Sequence, residues 1–322
     1  LIVRVDGIGD ALCLVPLLCA LRDAGHELGA LLSTQNAQIF APGVFVRTHV
    51  LERIPWPAHG STLETYKIAR TQARLAGYDV ALIASEEPEA YRFAKEAGVA
   101  IRVGFVNGWE KPLKSLATRR LLTRSIVRPA SARRAVEHEV ETLFRLGDGW
   151  HDEPAATRDV RRLRRALVED ETECRRDDRV ALQIVPKAFA RPKEGFAEIA
   201  RTIATAYPVV VVGSSADRDI VHAAALAADA PALVFERVAD WRDALLGMRA
   251  IVTPDSGAAH LAGMAGIPCV DLFPARRDVV LQTMRWAPWA APSRTLIVGP
   301  EPSGNGRAVL AALRDVLDGD AR

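Results

Sequence analysis

Apolar residues along this chain alternate between short unbroken aliphatic runs and longer stretches in which they recur at helical spacing. Strand-like runs fall at 1–5, 28–32, 44–50, 79–84 and 100–106, with helical stretches at 11–21, 63–75, 87–97 and 138–146. The glycine- and proline-bearing stretch GDGWHDEP at 147–154 interrupts this rhythm, and the charged segment 158–173 follows as a helix. Strand runs resume at 180–185, 208–213, 233–235, 251–252, 269–273 and 295–298, separated by helical stretches at 196–206, 217–228, 239–247, 258–265 and 307–317. Unbroken apolar strands alternating with amphipathic helices indicate parallel strands covered on both faces. The pattern predicts an α/β protein of two Rossmann-like, doubly wound domains, 1–150 and 151–322, facing a central cleft, with the last helix free to pack back on the first domain.

Two strand-to-helix turns carry the candidate chemistry. In IVTPDSGAAHLAGMAGIPCVDLF (251–273), a strand runs into the turn Pro254–Gly257, a helix follows, and Gly266-Ile267-Pro268 stops it before the next strand. Ser256 is placed to cap that helix and Gly257 to let backbone approach a ligand, so the helix start reads as a capped turn or as an anion site, with phosphate the natural guest. In the second turn, Asp6-Gly7-Ile8-Gly9-Asp10 follows the first strand, and Leu12 stands where a dinucleotide fingerprint needs its third glycine. Asp10 is then either a helix cap or a carboxylate in the crevice at the strand ends, where open α/β sheets bind ligands. Gly213-Ser214-Ser215, with Asp217 and Asp219 beside it, supplies acceptors for ribose hydroxyls.

Composition narrows the classes. The chain has 322 residues, 49% hydrophobic and 25% charged, with a formal charge of +2, which fits a soluble two-domain protein and does not fit a generally basic nucleic-acid binder. The balance fails locally: 111–134 holds Lys111, Lys114, Arg119, Arg120, Arg124, Arg128, Arg133 and Arg134 without an acid. This is a solvated face or a surface for an anionic partner. Cys13, Cys19, Cys174 and Cys269 show no metal-ligand spacing, and reduced thiols fit a cytoplasmic setting. No run is long enough to span a membrane and no leader is expected, although the chain opens in a strand without Met and one or more residues are expected to precede it. Two domains and a cleft suit a reaction joining two substrates, with Asp10 taking the proton of an acceptor hydroxyl as a nucleotide-linked donor is cleaved.

GIGDALCLVPLLCALR (7–22) together with TPDSGAAHLAGMAGIPCVDLFP (253–274) resembles glycosyltransferase family 9, the lipopolysaccharide heptosyltransferases and their relatives. Weaker matches at YDVAL (78–82), RVGF (102–105), VVVVGSSAD (209–217) and RWAPW (285–289) extend the resemblance along most of the chain; RWAPW is assigned no role beyond an aromatic anchor. The resemblance implies a GT-B fold and an inverting, metal-independent transfer from a nucleotide sugar, most often ADP-heptose, to a sugar hydroxyl of lipopolysaccharide core or another glycan, with no cofactor. It puts Asp10 on the catalytic base, Asp255 on the donor-sugar carboxylate, and Ser256, Gly257, Ala258 and His260 on the segment around the diphosphate, His260 otherwise being a packed helix residue. Gly9 and Asp217 join the donor-binding set. The family lysine falls on Phe189 here, so Lys187 is taken as the donor cation, with Arg191 and Lys193 as alternatives. Arg119, Arg120 and Arg124 are expected to bind an anionic or phosphorylated glycan or glycolipid acceptor, at most with peripheral membrane contact at the inner face. Two other functions fit the same residues: a non-catalytic nucleotide-sugar binder, and a GT-B nucleotide-sugar epimerase or hydrolase.

Overall fold

The computed structural model describes residues 1–54, 60–128, 136–169, 177–299 and 304–319. The first half builds a six-stranded sheet from β1 (Ile2–Arg4), β2 (Gly29–Ser33), β3 (Arg47–Leu51), β4 (Val80–Ile83), β5 (Ile101–Val106) and β6 (Arg124–Val127), in the order β3-β2-β1-β4-β5-β6. A second six-stranded sheet contains β7 (Asp177–Gln183), β8 (Val209–Ser214), β9 (Ala232–Phe235), β10 (Met248–Pro254), β11 (Cys269–Pro274) and β12 (Ser293–Val298), in the order β12-β11-β10-β7-β8-β9. The strand pairings in both sheets are parallel. In each sheet the chain winds outward from its first strand and then returns to the other side of it. The order therefore reverses between β1 and β4 and between β7 and β10, and connections leaving such a pair diverge to open a crevice at the carboxyl ends. Both sheets are Rossmann-like, the pair of domains that the GT-B class contains.

Two compact units result: Leu1–Thr157 with Ala166–Glu169, and Arg158–Arg165 with Asp170–Arg322. The segment predicted as one helix over 158–173 is thus divided. Its helical part, Val160–Arg164, lies on the second unit, where Arg164 donates to the carbonyls of Ala265 and Leu246 at 3.2 and 3.4 Å. Gly266 (φ +70°) leaves no room for a Cβ, which would approach Val160 Cγ1 to 2.4 Å. Ala166 returns to the first unit and accepts from Ala41 N at 2.9 Å. Residues 170–176, with Cys174 among them, and Arg133 and Arg134 lie outside the described residues.

One face of the second sheet packs Val180, Leu182, Val211, Val252 and Leu272 against the helices Pro192–Ala204 and Arg218–Ala228. The last helix, Asn305–Gly319, joins this same core through Val309, Leu313 and Val316. Gly213 serves this packing: a Cβ there would meet Val221 Cγ2 at 2.5 Å. In the first unit Val3, Leu31, Leu51, Ile83 and Phe93 form the corresponding core. The predicted helix 11–21 is two, Ile8–Leu12 and Val15–Asp23, because Pro16 has no N–H to continue the first but suits the opening turn of the second. β6 and the helix Val279–Trp286 are not in the sequence reading: RSIV sits in the basic run, and Asp278, the N-cap residue of VVLQTMRW, is not read there as a helix start.

Candidate active site

At the reversal point of the first sheet, Arg4 ends β1 with its guanidinium almost wholly buried, 2% exposed. The helix Ile8–Leu12 starts with Gly7 as its uncapped N-cap, so Asp10 in the first turn is not spent as a cap. It pairs instead with Arg4, Nη2 to Oδ1 at 2.6 Å, and keeps a partly exposed side chain. Arg4 also donates to the carbonyl of Ala84 and lies 3.7 Å from Asp6, which accepts a short hydrogen bond from Ser85 just past β4. Asn36, after β2, donates through Nδ2 to the carbonyls of Arg4 and Asp6 at 3.3 and 2.9 Å. The buried guanidinium thus ties the connection after β1 to that after β4, and Asn36 ties the connection after β2 to the same turn through its backbone carbonyls. Burial acts to lower the Arg4 pKa, yet Asp10, Asp6 and Glu139 hold it above its ordinary value, so it stays charged. Burial, opposed by Arg4, pushes the Asp6 carboxyl up.

The same edge continues past β4 and β6. Arg128 bridges Glu86 at 3.1 Å and the fully buried Glu139 at 2.8 Å, and Lys114 reaches Glu86 at 3.3 Å. Burial works to raise Glu86, but Arg128 and Lys114 outweigh it and hold the carboxyl below its usual range. The basic residues expected to meet the acceptor divide accordingly. Lys114 and Arg128 are on the Asp10 edge, whereas Arg124 opens β6 at the other end of the sheet, donating to the carbonyl of Asp148 at 2.8 Å beside Trp150. Arg119 and Arg120 end the helix Pro112–Arg119 as it runs back toward that far end. A helix returning antiparallel to its strands carries its last turn toward the amino ends, so Arg119, Arg120 and Arg124 stand away from the edge that carries Asp10. A cavity of about 500 Å³ also opens at that far edge, among Leu28, Arg47, Tyr78 and Trp150.

At the reversal point of the second sheet β10 ends at Pro254, and Asp255 continues the ladder by donating its N–H to Leu272 O at 3.0 Å. Ser256 is the extended N-cap of Gly257–Ala265; its Oγ accepts from Ala258 N at 3.3 Å and shares a hydrogen bond with Thr253 Oγ1 at 2.8 Å. Leaving β7, the turn Pro186–Ala188 brings Lys187 to the same place. A cavity of about 210 Å³ is lined by Lys187, Pro254, Asp255, Phe273, Arg276 and Gln282, among others. Neither Lys187 nor Arg276 is held in an ion pair among the described residues. Phe189, on the family lysine's position, is core, edge-on to Phe196 at 5.0 Å between centroids. Arg191 pairs with Glu194 at 2.6 Å, and Lys193 lies in the first turn of Pro192–Ala204.

The other expected donor residues are more dispersed. His260 is buried, edge-on to Trp286 at 5.8 Å, and does not line the cavity. Asp217 accepts from Ser214 Oγ at 2.6 Å at the carboxyl end of β8. Gly9 lies inside the helix Ile8–Leu12, on the first unit. Two residues that sequence reasoning missed belong here. Arg276 is one of a pair of arginines with no pattern of its own. Asp271, directly opposite Thr253 in the β10–β11 register, is fully buried, and no side chain among the described residues donates to its carboxylate. Burial, and secondarily the charge of Asp255, push its carboxyl well above the usual range. A lone acid in the apolar run CVDLF was the available signal.

A carboxylate at the reversal point of one Rossmann-like sheet and a capped helix start with two cations at that of the other are the furnishings of a GT-B sugar transferase. A sequence model of glycosyltransferase family 9 (heptosyltransferase) matches residues 72–303, and the chain belongs to this family. It is a glycosyltransferase. Solved structures of similar fold include the glycosyl transferase family 9 protein from Veillonella parvula (TM-score 0.73, 14% identity, 99% of this chain and 96% of that one). Others are the E. coli ADP-heptose lipopolysaccharide heptosyltransferase II (0.72, 17%, 100% and 99%) and E. coli heptosyltransferase WaaC with ADP-2-deoxy-2-fluoro heptose (0.71, 16%, 96% and 98%). No curated protein matches the chain in sequence.

Proposed function

We propose that the protein transfers a sugar, heptose from ADP-heptose being the first candidate, to a hydroxyl of lipopolysaccharide core or a related glycan, with inversion and without a metal. The observation that carries this reading is that both motif turns, GIGD and TPDSG, open at the reversal points of their sheets, where Rossmann-like domains bind ligands. Asp10 acts as general base: its carboxylate takes the acceptor hydroxyl proton while the oxygen attacks the anomeric carbon, and the bond from that carbon to the diphosphate breaks with its electrons leaving on the nucleotide. Arg4 holds one Asp10 oxygen, which fixes the orientation of the other. Negative charge grows on the departing diphosphate, and Lys187, Arg276 and the start of the helix Gly257–Ala265 provide positive potential there without a metal ion. Asp255 accepts hydroxyls of the donor sugar from the same cavity. Lys114 and Arg128, not the far-edge arginines, are the cations next to the acceptor.

Asp10→Asn tests this with ADP-heptose and a glycan acceptor, in the presence of EDTA. The unmodified protein is expected to turn over undiminished by the chelator, and the variant to lose ~10²–10⁴-fold in kcat while still binding ADP. Full product yield from Asp10→Asn would remove Asp10 as the base. Epimerised or hydrolysed donor formed without acceptor would point to the epimerase or hydrolase reading.

A further inference from the structure

The helix Pro112–Arg119 is amphipathic in the wrong sense for a helix that only covers a sheet. Its buried positions are Ser115 and Thr118, the former donating to Gly108 O at 3.1 Å, whereas its apolar side chains point to water. Leu113 is 83% exposed and Leu116 55%, and Trp109, in the turn leading into the helix, is 93% exposed. Exposed leucines scattered singly need no explanation, but a tryptophan and two leucines gathered on one short element, with the polar residues turned inward, form a patch that water does not favour. Around it stand the exposed cations Lys111, Arg119 and Arg120, none of them in an ion pair among the described residues; Lys114 is occupied by Glu86. The helix starts at the carboxyl edge of the first sheet, the edge that carries Asp10 and Glu86.

We propose that Trp109 and the outer face of Pro112–Arg119 are a docking surface for the anionic phospholipids of a bilayer. An indole and leucyl side chains enter the headgroup boundary, where an aromatic ring with one polar edge is most stable, and the flanking cations meet lipid phosphates. The charge decides for a lipid surface: Lys111, Arg119 and Arg120, in no ion pair among the described residues, outnumber the segment's one acid, Glu110, and beside an apolar stripe match a plane of negative headgroups, each adding attraction that falls off within a Debye length. No helix among the described residues is long and apolar enough to cross a membrane, so this contact would lie on the bilayer and not span it. The inference goes beyond the transfer reaction; Trp109 and Lys111 stand where the helix starts, at the edge that carries Asp10, and Arg119 and Arg120 a helix length away from it.

The test is co-sedimentation of the full chain, with no nucleotide sugar present, against vesicles of phosphatidylcholine alone and of phosphatidylcholine with phosphatidylglycerol. Binding is expected to the anionic vesicles, ~tenfold or more weaker to the neutral ones, and reduced by added salt. Trp109→Ser with Leu113→Ser should lower it ~tenfold or more with an unchanged melting temperature, because both side chains are in solvent. Lys111→Glu with Arg119→Glu and Arg120→Glu should lower it as well, and this set keeps the test decisive if the first fails to fold. The proposal is overturned if the unmodified protein ignores anionic vesicles, if neutral vesicles bind equally, or if both sets of changes leave binding intact, in which case a protein partner becomes the better occupant of the stripe. Since no donor or turnover enters, failure here leaves the transfer reaction standing, and active Asp10→Asn would leave the docking surface standing.

Discussion

Asp271 places an acid where a strand needs an apolar residue. Burial, and secondarily the neighbouring Asp255, outweigh the Leu272 backbone N–H and keep Asp271 protonated well above the ordinary range of a carboxyl. The sign of the consequence follows from proton counting. Between the unfolded value, about 4, and the raised folded one, the folded state holds a proton that the unfolded state has released, so stability is full at the acid end and falls as pH rises. Asp271→Asn removes that titration at nearly constant size. Its melting temperature relative to the unmodified protein should climb as the buffer moves from about pH 4 to about pH 8, and a difference that stays flat across this window would show that Asp271 ionises like an exposed acid. Arg4 is the opposite case. It too is buried, but three acids keep it charged, and it pairs directly with Asp10.

At the scale of elements, the helix Gly257–Ala265 owes its position to two glycines. Gly266 takes the left-handed conformation that ends it, and Gly263 lets the segment 288–290 lie directly on its back. A Cβ on Gly263 would stand 2.5 Å from Trp289 N and 3.1 Å from Pro288 C, which is backbone and cannot swing away. Ala290 N donates to Gly263 O at 3.1 Å, and Arg158 stacks over the Trp289 ring at 3.6 Å, so RWAPW works as the anchor of this helix. Gly263→Ala should cost ~1–3 kcal/mol by overpacking, read as a lower urea midpoint with an unaltered slope, and should weaken ADP binding because the helix start moves with its back. An unchanged midpoint would mean that the segment 288–290 yields freely.

At the scale of the whole molecule, two units with separate cores need not unfold together, so a ligand held by one should act on that unit's transition. ADP at ~100 times its Kd adds ~2.7 kcal/mol to the state that binds it. Calorimetry with ADP is expected to raise the transition of the second unit, and Lys187→Ala with Arg276→Ala to abolish most of the rise; a shift confined to the first unit would contradict a donor site at β7 and β10.

Strands, helices and the two motif turns were legible along the chain because a parallel strand buried on both faces and a capped helix start are local patterns of apolarity and turn chemistry. GIGD and TPDSG were found that way, and so was the family. What tertiary structure alone decided concerns residues whose neighbours come from elsewhere in the chain. It gave Asp10 to Arg4 and not to the helix cap, put Lys187 and Arg276 into one cavity with Asp255, and sent Phe189 to the core. It also divided one continuous run of basic residues between opposite edges of a sheet, leaving Lys114 and Arg128 near Asp10 and Arg119, Arg120 and Arg124 toward the far end. Charge density along a sequence carries no direction. A helix that returns antiparallel to its strands separates neighbours in the chain by the height of the sheet, and only folding determines which of them reach the reacting edge.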